Sequence, residues 1–212
     1  DTQIEEFSEL LVQDNQGRIK PINSLSSKIV RKLTKKNNFE GMSPSHVILD
    51  MSSNPSKWYT IPIIKVAHSD LQGTLRLNSK FASYGDLVKP SAQGGYLLQN
   101  PVNESYQKKP VQRNKLDKEI MNVDERINIL MQVFNGDFLK IFPVPGDDNQ
   151  KWVTRREAAK FVSGEDAKFI DEVLPNYYSA LYDGNKEAAS AYLSQIKAYQ
   201  HKYGSTVIPS DN

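Results

Sequence analysis

The stretch NKLDKEIMNVDERINILMQVF, residues 114–134, decides the fold class. Leu116, Ile120, Val123, Ile127, Leu130 and Phe134 recur three or four positions apart, so they share one side of a helix about five turns long. Asn135-Gly136 follows, and glycine takes the left-handed conformation that ends a helix without steric cost.

Downstream, Phe138-Leu139-Lys140-Ile141-Phe142 reads as a short extended segment stopped by Pro143 and Pro145-Gly146. Thr154 and Glu157 have the spacing of a capping box. Ile170, Val173, Tyr177 and Leu181 form a second apolar stripe, with an interruption or kink expected at Pro175, which has no N–H to give the preceding turn. Asn185 is placed to cap a last helix with Ala189, Tyr192, Ile196, Tyr199 and Tyr203 inward and Gly204 at its end.

Upstream, Leu10 to Gln13 and Arg18 to Lys20 flank Asp14-Asn15-Gln16-Gly17, a four-residue polar loop suited to a type I turn closed by a left-handed Gly17. Pro21 limits the second strand. Ile22, Leu25, Ile29 and Leu33 then recur at helical spacing. Ser43-Pro44 reads as N-cap and first helical residue, Asn54-Pro55 repeats the device, and Ile63-Ile64 suggests an extended piece. Residues 67–113, punctuated by Gly and Pro, are expected to hold short helices and ordered loops. The expected fold is therefore mainly α: orthogonal or antiparallel helices, a short N-terminal β-hairpin and few minor strands. The expected division is a helical subdomain over 1–142, a linker at 143–150 and a helical hairpin over 151–212.

Composition narrows the function. The 212 residues contain no cysteine, which excludes disulfides, thiolate nucleophiles and thiolate metal ligands within them. A formal net charge of +2 gives no global argument for nucleic acid. No stretch approaches the ~20 apolar residues needed to cross a bilayer. The chain is expected to be part of a longer protein whose anchor or export signal lies outside it.

No reactive centre is legible. His46, His68 and His201 are scattered and form no metal-ligand spacing, and no nucleophile elbow or phosphate loop occurs. The carboxylate pairs Asp117/Glu119, Asp124/Glu125 and Asp147/Asp148 are expected to face solvent. No catalytic and no metal-binding residue is assigned. Candidate binding residues are Gln13, Asp14, Arg18 and Lys20, with an internal Asp14–Arg18 contact as the structural alternative. Lys28, Arg31, Lys32 and Lys35, with Lys36, form a candidate face for an anionic partner; cations near a helix C-terminus are also favoured by the helix dipole.

Several segments together carry a resemblance. They are Val12 to Leu25, Gly94-Gly95-Tyr96-Leu97-Leu98-Gln99, Arg113 to Glu119 with Val123 to Asn128, Ile141-Phe142-Pro143-Val144-Pro145, Tyr199-Gln200, and Val207-Ile208-Pro209-Ser210. In this order, spread from about Phe7 to Ser210, they resemble the extracytoplasmic region of bacterial system II cytochrome c biogenesis proteins of the fused ResB–CcsA type. The resemblance implies a parent that exports haem and attaches it to apocytochrome c at Cys-x-x-Cys-His sites. The family's tryptophan-rich segment and membrane-flanking histidines have no counterpart here; Trp58 and Trp152 stand alone. The implied role is thus non-catalytic, at the periplasmic face of the inner membrane: docking apocytochrome c or a thiol-reducing partner, or bracing the membrane core. No cofactor is expected in this chain, haem being handled by the parent. The alternative is a free-standing periplasmic ligand-binding protein or hydrolase.

Overall fold

A computed structural model describes residues 2–90 and 95–208. Gly94 and Pro209-Ser210, quoted above, lie outside the described residues. The chain is mainly α-helical. It opens with α1 (Thr2–Glu9), the strands β1 (Leu11–Gln13) and β2 (Ile19–Pro21), and α2 (Ile22–Thr34). Next come α3 (Pro44–Ser53), β3 (Ile64–Lys65), α4 (Ser69–Thr74), β4 (Phe81–Ala82), α5 (Tyr84–Leu87) and α6 (Gln99–Gln107), with 3-10 turns at Pro55–Tyr59 and Pro110–Gln112. The long α7 (Lys115–Asn135) is followed by β5 (Phe142–Pro143), β6 (Trp152–Val153), α8 (Arg155–Ala158), α9 (Gly164–Tyr182) and α10 (Lys186–Gly204). Among the described residues the strands pair as two-stranded antiparallel sheets: β1 with β2, β3 with β4, β5 with β6.

The chain divides into two compact units, one of Asp1–Ser27 with Asn135–Asn212 and one of Lys28–Phe134. Residues 143–150, expected to link subdomains, run from the end of β5 toward β6 inside the first unit.

In the first unit α9 and α10 pair as an antiparallel hairpin, and α10 also packs on α1 and β5. Its core includes Phe7, Val12, Phe142, Trp152, Ile170, Tyr177, Leu193 and Ile196. Of the interruption or kink expected at Pro175, the interruption does not occur: α9 runs as one helix from Gly164 to Tyr182 with Pro175 inside it. Proline leaves the Asp171 carbonyl without its usual i+4 donor, and Arg155 takes the vacancy. Its Nε donates to the Asp171 carbonyl at 2.6 Å while its Nη2 meets the Asp171 carboxylate at 2.9 Å. Gly204 does end α10, but not through a left-handed φ. A Cβ there would lie 2.6 Å from Trp152 Cζ2, so the glycine makes room for the buried indole. Asn185 caps α10 by accepting from the Ala188 N–H at 3.1 Å, and Thr154 with Glu157 form the expected capping box.

In the second unit α7 buries Ile120, Val123, Ile127, Leu130 and Val133, and Trp58, Ile63, Ile64 and Leu87 are buried in the same unit. Gly136, just beyond, has φ +71° and stops the helix as expected. Ser43 caps α3 with Pro44 in its first turn, whereas Asn54-Pro55 opens a 3-10 turn rather than an α-helix.

The expectation that Asp117 and Glu119 face solvent is overturned, since both are buried. Asp117 is the third residue of α7 and exchanges bonds with Asn114: Asn114 N–H to Asp117 Oδ2 at 2.9 Å, Asp117 N–H to Asn114 Oδ1 at 2.8 Å. Lys108 at 2.6 Å and Ser105 at 3.2 Å complete its partners. The Lys108 bond, with that N–H, holds the Asp117 carboxyl below the usual carboxylate range. Glu119 accepts from the Ala67 N–H at 2.7 Å and from Arg126 Nη1 at 3.2 Å, and the same Arg126 nitrogen donates to the Lys65 carbonyl at 2.5 Å. This buried ion pair fastens α7 to the backbone beside β3.

Candidate functional site

Gln13, Asp14, Arg18 and Lys20 all lie on the hairpin of β1 and β2, and the structure sorts them into three that build it and one that is free. The turn is as expected: Gly17 has φ +79°, and its N–H donates to the Asp14 carbonyl at 3.0 Å. Asp14 closes the loop from within, its Oδ1 accepting from the Gln16 N–H at 2.9 Å and the Arg18 N–H at 3.0 Å. Its side-chain partner is Lys20, at 2.5 Å, not Arg18. Burial alone would raise the Asp14 pKa. The Lys20 ammonium and the two N–H groups outweigh it and hold the carboxyl at about 2, against an ordinary 3.8. The Arg18 side chain is exposed, and among the described residues it has no polar partner.

Gln13 is committed inward. Its Oε1 accepts from the Trp152 N–H at 2.8 Å, and its Nε2 donates to the Gln150 carbonyl at 3.0 Å. Those are the two backbone groups flanking Lys151, so the side-chain amide occupies the place of a neighbouring strand. Its own N–H donates to the Lys140 carbonyl at 3.0 Å.

Gln200 does the same from α10. Its Oε1 accepts from the Leu11 N–H at 3.2 Å, and its Nε2 donates to the carbonyls of Leu11 at 2.8 Å and Ile141 at 2.9 Å. The residue is 2% exposed, so each of these groups depends on it for a partner. Sequence reasoning gave Gln200 no role; the signal was a lone amide within an otherwise apolar helix face.

Because Leu11 and Gln13 turn their N–H groups away from β2, Val12 and Lys20 form the hydrogen-bonded pair of the ladder. Ile19 then points its N–H and carbonyl outward, while Pro21 has no N–H to offer. The open edge of β2 borders a cleft of about 640 Å³. Leu11, Ile19 and Ile208 give it apolar lining; Lys20, Lys197 and His201 stand among its polar residues. Its size suits a small molecule. Two of its cations are already paired, Lys20 with Asp14 at 2.5 Å and Lys197 with Glu9 at 2.8 Å.

The basic face lies in the second unit. Lys28, Arg31 and Lys35 are exposed, and Lys32 meets Glu125 at 2.8 Å. Arg31 donates to Asn37 Oδ1 at 3.1 Å. Lys36 and Lys65 both approach the Phe81 ring, at 5.4 and 4.8 Å from its centroid.

The histidines sit on separate elements: His46 in α3, His68 at the start of α4 and His201 in α10. His68 Nδ1 accepts from the Asp70 N–H at 3.2 Å and caps its helix. Among the described residues no group of three or more His, Asp or Glu is placed to hold a metal ion.

The residues that carry the family resemblance are therefore largely architectural. Gln13, Gln200, Asp117, Glu119 and Arg126 bond inside their own units, and Tyr96 donates its hydroxyl to Asp124 at 2.9 Å. No family model matches the chain. The chain is similar to protein NrfI of Wolinella succinogenes, 33% identical over 207 residues, which cover 97% of this chain and 23% of that protein's length.

Proposed function

We propose that the chain is a non-catalytic extracytoplasmic domain of a membrane protein for cytochrome c assembly, of the fused ResB–CcsA type. The observation that carries this reading is the similarity to NrfI across 97% of the chain, which supports a cytochrome c biogenesis family. Most described motif residues, Gln13, Asp14, Asp117, Glu119, Arg126 and Gln200 among them, bond inside their own units, so the domain works through its surfaces. In this reading membrane attachment comes from flanking segments, since no described helix is long and apolar enough to cross a bilayer. Haem export and attachment belong to the rest of the parent. The docking surface is the open edge of β2 with the free Arg18, offered to apocytochrome c or to a thiol-reducing partner.

The test is made in cells. The coding region for residues 2–208 is removed from the parent gene, and the truncated protein is verified in the membrane fraction. Haem-stained c-type cytochromes are then expected to fall below detection and to return with the intact gene. Normal haem attachment by the truncated protein overturns the reading.

A further inference from the structure

The net charge of +2 hides a segregation. The second unit carries 16 Lys and Arg against 9 Asp and Glu, a formal +7, whereas the first carries 11 against 16, a formal −5. Among the described residues of the second unit, this positive charge meets the most exposed apolar side chain at the turn from the end of α6 through the Pro110–Gln112 3-10 turn into α7. Residues 106–112 are all exposed. Val111 at the tip is 92% exposed and Tyr106 51%. An apolar side chain standing that far out is not filling any concavity of its own molecule.

Around this tip are Lys108, Lys109, Arg113, Lys115 and Lys118. Among the described residues only Lys108 of these has an ion-pair partner, Asp117 at 2.6 Å. Arg113 gives its Nε to the Ser105 carbonyl at 3.1 Å and its Nη2 to the Tyr106 carbonyl at 3.2 Å, with its guanidinium 6.0 Å from the Tyr106 ring. Those acceptors are uncharged, so its positive charge stays uncompensated. Glu104 is the one acidic residue between Gln99 and Lys115. The turn is also closed on itself: Gln112 N–H donates to the Lys109 carbonyl at 2.8 Å, and Arg113 N–H to the Pro110 carbonyl at 3.3 Å. Little ordering entropy is left to lose on binding.

We infer that this turn docks on an anionic lipid surface, with Val111 and Tyr106 entering the headgroup region and Lys109, Arg113, Lys115 and Lys118 meeting lipid phosphates. An acidic protein partner fits less well. A convex apolar tip asks for a deformable apolar medium, and flexible lysine stems lie along such a boundary with their ammonium groups at the phosphates. Tyrosine, apolar in body and polar at one end, suits the same depth. The inference does not depend on the cytochrome assembly role, because a chain with no part in that process would bind vesicles in the same way.

The test is flotation of the purified chain with vesicles of phosphatidylcholine alone or with about 30 mol % phosphatidylglycerol. Binding is expected on the anionic vesicles and not on the neutral ones, and Val111→Asp is expected to weaken it. The triple variant Lys109→Glu/Lys115→Glu/Lys118→Glu is expected to lose at least about 100-fold in partitioning, from roughly a factor of 5 for each surface cation removed and further repulsion from each carboxylate added. The matched variant Lys28→Glu/Arg31→Glu/Lys35→Glu changes the net charge equally and is expected to lose far less. Tyr106→Trp supplies an insertion signal, since Trp58 and Trp152 are buried and contribute a constant background. Its emission is expected to shift to the blue on anionic vesicles. Far-UV circular dichroism checks that each variant is folded. Three outcomes overturn the inference: equal binding to neutral vesicles, a larger loss from the α2 variant than from the turn variant, or binding to an acidic polypeptide without binding to anionic vesicles.

Discussion

Gln200 and Leu11 face each other as neighbouring strand residues do, although one of them is a helix side chain. The Gln200 amide accepts from the Leu11 N–H at 3.2 Å and donates to the Leu11 carbonyl at 2.8 Å. Gln13 repeats the arrangement toward the backbone on either side of Lys151. Two glutamine amides thus complete sheet edges that no third strand covers, and they tie the N-terminal hairpin to α10 and to the β5–β6 hairpin. An open edge of this kind, left unpaired in the interior, is costly.

Replacing Gln200 with leucine keeps the bulk and removes the amide, leaving the Leu11 N–H and two carbonyls without partners. A loss of about 2–4 kcal/mol of stability is expected from these orphaned groups. Urea denaturation of the variant and the parent chain measures it; an unchanged midpoint would show that the bonds contribute nothing net.

Arg155 is expected to be the reason Pro175 is tolerated inside α9. Arg155→Ala leaves the Asp171 carbonyl to solvent and removes a surface ion pair, for an expected cost of about 1–2 kcal/mol. In the double variant Arg155→Ala/Pro175→Ala the restored N–H supplies the missing donor, so most of that cost disappears. A thermal-unfolding double-mutant cycle checks this, with additive effects as the contrary result.

The Asp14 carboxyl, held at about 2 against an ordinary 3.8, makes stability depend on pH in a defined window. Its folded pKa is depressed, so its contribution is fully present above the unfolded value and is lost as pH falls through 3.8 toward 2. Asp14→Asn keeps a side-chain acceptor for the loop N–H groups but cannot titrate. The stability gap between parent and variant is expected to be constant above pH ~5 and to close on acidification. Melting curves across that range read it, and a gap that persists at the acid end contradicts the assignment.

The sequence made the helices legible where one periodicity ran long enough, as in α7, and where a cap had its own chemistry, as at Ser43, Thr154 and Asn185. It also placed the hairpin and the left-handed Gly17. What it did not reveal depends on partners distant along the chain. Nothing near Pro175 announces that Arg155, twenty residues earlier, will supply a donor. Gly204 reads as a helix stop until Trp152 is seen lying against it. Asp117 and Glu119 look like solvent-facing charges until Asn114, Lys108 and Arg126 are placed around them. The short α1 was not distinguished from its surroundings, since Gln3 and Phe7 are its buried residues and a two-point stripe is too brief to read. At the candidate site the loop was legible and its ion pair was not. Asp14 meets Lys20, and the Arg18 side chain has no polar partner among the described residues.

The role proposed for this domain is to serve cytochrome c assembly through its surfaces, with haem held by the rest of the parent. Its most direct test is titration of the purified chain with haem, following the Soret band. No saturable shift is expected at stoichiometric concentrations, in either oxidation state of the iron. A saturable one-to-one shift that is abolished by replacing His46, His68 or His201 contradicts it.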